Sequence, residues 1–129
     1  MPHFHIEYSA NLEESVDMAA LCEAIRVKAA NIDAFPMPGI RVRATRVDHY
    51  AIADGSTKHG FIDLSVRLRE GRSDAVKRDA IDQIFATLKE FMTPAMASHS
   101  IALSAEMRDI NADLSPKFGT IRDHLEDNV

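Results

Sequence analysis

Two groups of residues in this chain could do chemistry. The first is Pro2, directly after Met1. Removal of a methionine ahead of so small a residue would leave a free secondary amine at the head of the chain, a base that no other residue type supplies. A tolerated proline at a chain end is the plain alternative. The second group is basic. Arg41, Arg43 and Arg46 fall within six residues, and Arg72 follows Gly71. Arginine presents a planar fork of donors to a carboxylate, although three arginines on a strand can equally form a solvated face. Arg72 precedes an expected helix, whose N-terminal end favours anions.

His3, His5 and Glu7 recur at every second position. Such spacing could place three metal ligands on one strand face, but no HExxH or cysteine partner accompanies it. A paired polar strand face is the expectation, and no metal is expected. His49, His59, His99 and His124 are scattered and receive no role. Cys22 falls on an apolar helix face, which points to a buried, inert thiol. No P-loop, GxGxxG or Ser-His-Asp order appears.

Positioning these groups requires a framework, and hydrophobic periodicity supplies it. Pro2, Phe4, Ile6 and Tyr8 alternate with His3, His5 and Glu7, the period of a strand with one buried face. Proline is tolerated at a strand's first position because it need not donate there. Met18, Leu21, Cys22, Ile25, Ala29 and Ile32 follow a helical period, starting from Asp17 or from Asn11 with Glu14. Phe35-Pro36-Met37-Pro38-Gly39 must end that helix. A second strand starts at Ile40, slips near Arg46-Val47 and resumes at Tyr50 and Ile52, which suggests a bulge or a break. Asp54-Gly55 turns the chain.

A third strand is expected from Phe61 to Arg69. Ser73 or Asp74 then caps a long helix with an apolar stripe from Val76 to Met92. Thr93-Pro94 should end or kink it, with a further short turn through Met96. A fourth strand covers Ile101 to Met107, Asn111 to Pro116 is a loop, and Lys117 to Val129 is a weak turn or short helix. The order is two βαβ halves in an α+β chain: a four-stranded mixed sheet with both helices on one face. Alternating apolar residues imply a half-apolar second face that only other subunits could cover, with a large interface.

Length and composition narrow the function. With 129 residues, 46% apolar and 27% charged, one domain spanning 1–129 with a packed core is expected. The net charge of −5 argues against a nucleic-acid partner held by phosphate contacts. A single cysteine excludes an intrachain disulfide and suits the reducing cytoplasm. Neither a secretory signal nor a membrane span is read.

Met1-Pro2 heading a strand, Phe35-Pro36-x-x-Gly39-Ile40-Arg41, Ala53-Asp54-Gly55 and Gly71-Arg72-Ser73 together resemble the tautomerase superfamily, and within it the 5-carboxymethyl-2-hydroxymuconate isomerases. The resemblance runs from Pro2 to about Arg108 and is poor beyond. It implies a homotrimer whose sheets line a central barrel, no cofactor, a small anionic polycarboxylate substrate from aromatic catabolism, Pro2 as catalytic base, and Arg41 and Arg72 as substrate-binding residues. The implied reaction is an allylic proton shift. A hydratase or dehalogenase on the same fold, or a trimeric binding protein without activity, are the other readings.

Overall fold

The computed structural model describes residues 1–126. Four strands, β1 (His3–Ser9), β2 (Arg41–Val47), β3 (His59–Arg69) and β4 (Ser100–Ile110), alternate with two helices, α1 (Met18–Ala30) and α2 (Asp74–Met96). They form one sheet in the order β2-β1-β3-β4. β1 pairs with β2 in parallel, β3 pairs with β4 in parallel, and β1 and β3 meet antiparallel at the centre. Each βαβ half therefore carries its own parallel pair, as expected, and the central antiparallel pair joins the halves.

Side-chain alternation decides which sheet face is buried. Phe4, Ile6 and Tyr8 of β1 share a face with Ile62, Leu64, Val66 and Leu68 of β3, and all seven are buried. The same face continues with Val42 and Ala44 on β2 and Leu103, Ala105 and Met107 on β4. Leu21, Ile25 and Ala29 of α1, and Ala80, Ile84, Leu88 and Met92 of α2, close over it. Each large side chain taken from water here contributes about 1.5–3 kcal/mol, so the helices are held mainly by this layer. Val76, expected at the start of the α2 stripe, is exposed.

Both helices begin where a short polar side chain can take up an orphan amide. Asp17 accepts from Ala20 N at 3.0 Å, and Ser73 accepts from Val76 N at 3.2 Å. Helix α1 thus starts at the later of its two expected positions, and Ala10–Leu12 form only a 3-10 turn. Helix α2 does not end at Pro94: it continues to Met96. The lost amide falls in the last turn, where Ala97 N still reaches Thr93 O at 3.2 Å. The irregularity near Val47 is neither a bulge nor a second strand. Strand β2 stops at Val47, and positive φ at Ala53 (49°) and Gly55 (87°) turns the connecting loop. Tyr50 there meets the ring of Phe61 edge-on at 6.2 Å.

The second sheet face differs from expectation. His3, His5 and Glu7 lie beside Arg41, Arg43 and Thr45 on one side and Arg67, Ser65 and Asp63 on the other. Cross-strand hydrogen bonds tie it together, His5 to Thr45 at 2.9 Å and Ser104 to Asp63 at 2.7 Å. The face is polar, not half-apolar, because the alternation that buries Ile62, Leu64 and Val66 against the helices turns their charged neighbours outward. Apolar surface on this sheet face is therefore no argument for a partner.

Beyond β4 come 3-10 turns at Ala112–Leu114 and Ile121–His124. The expected terminal turn reached Val129, of which residues 127–129 lie outside the described part. Among the described residues, no helix is long and apolar enough to cross a membrane.

Candidate active site

Pro2 stands immediately before β1, and its carbonyl accepts from Arg41 N at 3.2 Å, opening the β1–β2 ladder. It has no amide hydrogen to lose there, and its ring is fully buried. The turn Met37–Gly39 brings the chain against it. A Cβ on Gly39 would lie 3.1 Å from Pro2 Cδ and 3.3 Å from Met1 Cα, closer than ordinary packing allows. Glycine at this position is thus what lets the backbone sit against the proline ring.

The same turn delivers Arg41. Its Nη1 donates to Gly39 O at 3.1 Å and lies 3.2 Å from Met1 Sδ. Arg72 arrives from the far end of β3. Gly71 takes a φ of 117°, a conformation that suits glycine, and the following Arg72 donates to Arg69 O at 3.2 Å. Because β1 and β3 are antiparallel, with His3 opposite Arg67, the end of β3 lies beside the start of β1. Pro2, Arg41 and Arg72, separate in the sequence, are in this way brought to one end of the sheet.

A cleft of about 660 Å³ opens there, lined by Met1, Gly39, Arg41, Arg69, Arg72 and Lys117 among others. A second, of about 570 Å³, adjoins it and shares Met1, Arg41, Arg69, Lys117 and Phe118. Met1 thus sits on the boundary between the two. Its α-amine reports on the electrostatics that a Pro2 amine would meet. Burial first, then the positive charges of Lys117, Arg72, Arg41 and Arg69, hold it below the usual α-amino range, because each disfavours the charged form.

The other candidates are elsewhere. Arg43 donates to His3 Nδ1 at 3.2 Å on the open sheet face. Arg46 pairs with Asp48 at 2.8 Å at the opposite end of β1. His59 bridges Asp54 and Ser100, also far from Pro2. His5 and Glu7 stay on the open face. Cys22 is half-buried, and burial pushes its thiol up. Among the described residues, no three His, Cys, Asp or Glu side chains are grouped to hold a metal ion.

Sequence reasoning missed Arg69, Lys117 and Phe118. The antiparallel β1–β3 pairing is the signal that could have found Arg69. The tail carries no periodicity, and only the Lys117-Phe118 pair of a cation beside an aromatic marks it.

His3 makes a stability prediction. Its ring is held below the usual histidine range by burial first, then by Arg67, Arg43 and Arg41, and it accepts from Arg43 only while Nδ1 is bare. A folded pKa below the unfolded value of ~6.5 means the unfolded chain takes the proton first on acidification. Stability should therefore fall as pH drops below ~6.5. Thermal melts at pH ~7.5 and ~5.5 should show a smaller acid loss for His3→Gln than for wild type. An equal loss would remove His3 from the account.

The family model described as 5-carboxymethyl-2-hydroxymuconate isomerase matches residues 2–125. A curated 5-carboxymethyl-2-hydroxymuconate Delta-isomerase of Escherichia coli is 31% identical over 121 residues, 94% of this chain and 96% of that protein. A crystal structure of a 5-carboxymethyl-2-hydroxymuconate delta-isomerase superposes with a TM-score of 0.89 at 32% identity, covering 96% of this chain and 92% of that one. A second, from Deinococcus radiodurans R1, gives 0.87 at 32% identity over 95% and 92%. The match extends through the tail, well past the expected limit near Arg108. The tail carries little periodicity, although Lys117 and Phe118 in it line both clefts.

Proposed function

Since the chain belongs to the 5-carboxymethyl-2-hydroxymuconate isomerase family, we propose that it is a tautomerase acting on that unsaturated polycarboxylate, with the Pro2 nitrogen of the Met-free chain as general base. The observation that carries this reading is the ring of cations around the chain's first residues. Removal of Met1, which lines both clefts, would uncover a secondary amine at Pro2. An α-amine titrates near ~7.7–8 when unperturbed. Burial and four neighbouring cations hold the Met1 amine below that range, and the same surroundings would leave more of a Pro2 amine neutral near neutral pH than of an unperturbed one.

The neutral nitrogen takes a proton from one end of the conjugated enol system. The resulting dienolate is stabilised by Arg41 and Arg72, whose forks also hold carboxylates. The prolinium then returns a proton to a distant carbon of the same system. No atoms or electrons are gained or lost, so no redox partner enters the balance. Aromatic-compound breakdown is the setting in which such a dienol arises, and the single thiol suits the cytoplasm.

The test is loss of the dienol's ultraviolet absorbance with Met-free protein. Bleaching well above the uncatalysed rate, lost in Pro2→Ala, is the expected result. Bleaching at the uncatalysed rate would overturn the assignment and leave the binding-protein reading.

Assembly as a homotrimer follows from the tautomerase resemblance together with the open polar face of the sheet. Small residues there, Ala102, Ser104 and Ser65, allow neighbouring sheets to approach, and hydrogen bonding replaces the apolar contacts expected from sequence. Sedimentation equilibrium should give three copies at micromolar concentration. A stable, active monomer would contradict both assembly and any need for neighbouring subunits.

A further inference from the structure

The tail from Ser115 to Arg122 enters the function above only through the positive charge of Lys117. Lys117 and Phe118 line both clefts, so this segment borders each of them. Phe118 is 95% exposed, an unusual position for a large aromatic unless something else covers it. The Lys117 ammonium has no ion-pair partner among the described residues. Arg41 and Arg72, by contrast, each already donate to a backbone carbonyl. Glu70 is the one carboxylate lining the larger cleft, and the smaller has none. The surroundings of Lys117 are thus short of negative charge.

We infer that Lys117 is a substrate-binding residue that holds the carboxylate of the substrate's carboxymethyl arm, with Phe118 covering the bound acid. This deepens the proposed function and rests on it. A muconate carries two carboxylates and the carboxymethyl arm adds a third. Two arginines account for two of them. Of the three cations that line both clefts, Arg41, Arg69 and Lys117, only Lys117 is carried by the tail rather than by the sheet. Its place lets it select tricarboxylates over dicarboxylates.

Binding can be measured without turnover. Calorimetric titration of the Met-free protein with two unreactive acids, propane-1,2,3-tricarboxylate and glutarate, reads the preference for a third carboxylate. Wild type should bind the tricarboxylate about tenfold or more tightly than glutarate, as one charge-assisted hydrogen bond allows. Lys117→Gln should narrow that preference to within about twofold, and Lys117→Arg should restore most of it. A preference that Lys117→Gln leaves intact, or no preference in wild type, overturns the inference. A Lys117-dependent preference in a protein that fails to bleach the dienol would instead sink the isomerase reading and leave Lys117's role standing.

Discussion

Pro2→Ala should lower kcat by at least about a hundredfold, the scale that a positioned general base contributes. The variant keeps a terminal amine after Met1 is removed, but a primary one, without the ring that packs against Gly39. Loss of fold is not the expected cause, since Pro2, although buried, precedes the core strand, which begins at His3 and buries Phe4, Ile6 and Tyr8 among others. Far-ultraviolet circular dichroism matching wild type would establish that. Turnover within a few-fold of wild type would show that the ring nitrogen is not the base.

Arg41→Ala and Arg72→Ala carry the second large effect. Each should cost on the order of 1.5–3 kcal/mol in kcat/KM for the tricarboxylate, or about 10- to 150-fold. The two arginines need not lose it in the same way. Arg41 is anchored by Gly39 O next to Pro2, so a kcat effect is expected there. Arg72 stands at the N-terminal end of α2, where helix amides also favour an anion, so its loss should fall more on KM. Steady-state kinetics of both variants on the dienol reads the split. A variant equal to wild type would return its arginine to the solvated surface.

The sequence made the framework readable because its signals were local. Alternation in His3–Tyr8 and in Ile62–Leu68 shows which face is buried, and Asp17 and Ser73 mark helix starts by their hydrogen bonds. What it hid depended on distance or on exceptions. Tyr50 and Ile52 alternate like a strand yet belong to the loop that Ala53 and Gly55 turn with positive φ. Pro94 breaks helices in general but is harmless in a last turn. The apolar alternation suggests a half-apolar second face where the structure has a polar one, because single strands do not say which neighbours share their side.

The candidate site was legible in part for the same reason. Pro2, Arg41 and Arg72 sit beside glycines and prolines whose backbone demands leave a visible pattern. Arg69 reaches the cleft only through the antiparallel pairing of β3 with β1. Lys117 reaches it through a tail whose course no periodicity announces.

The account's central claim is that the reacting base is the Pro2 nitrogen, which exists as an amine only when Met1 is gone. Intact-mass spectrometry on preparations with different degrees of Met1 removal, each assayed on the dienol beside a Pro2→Ala control for spontaneous ketonisation, tests it most directly. Activity should rise in proportion to the fraction of chains beginning at Pro2. Full activity in a preparation in which every chain retains Met1 would contradict it.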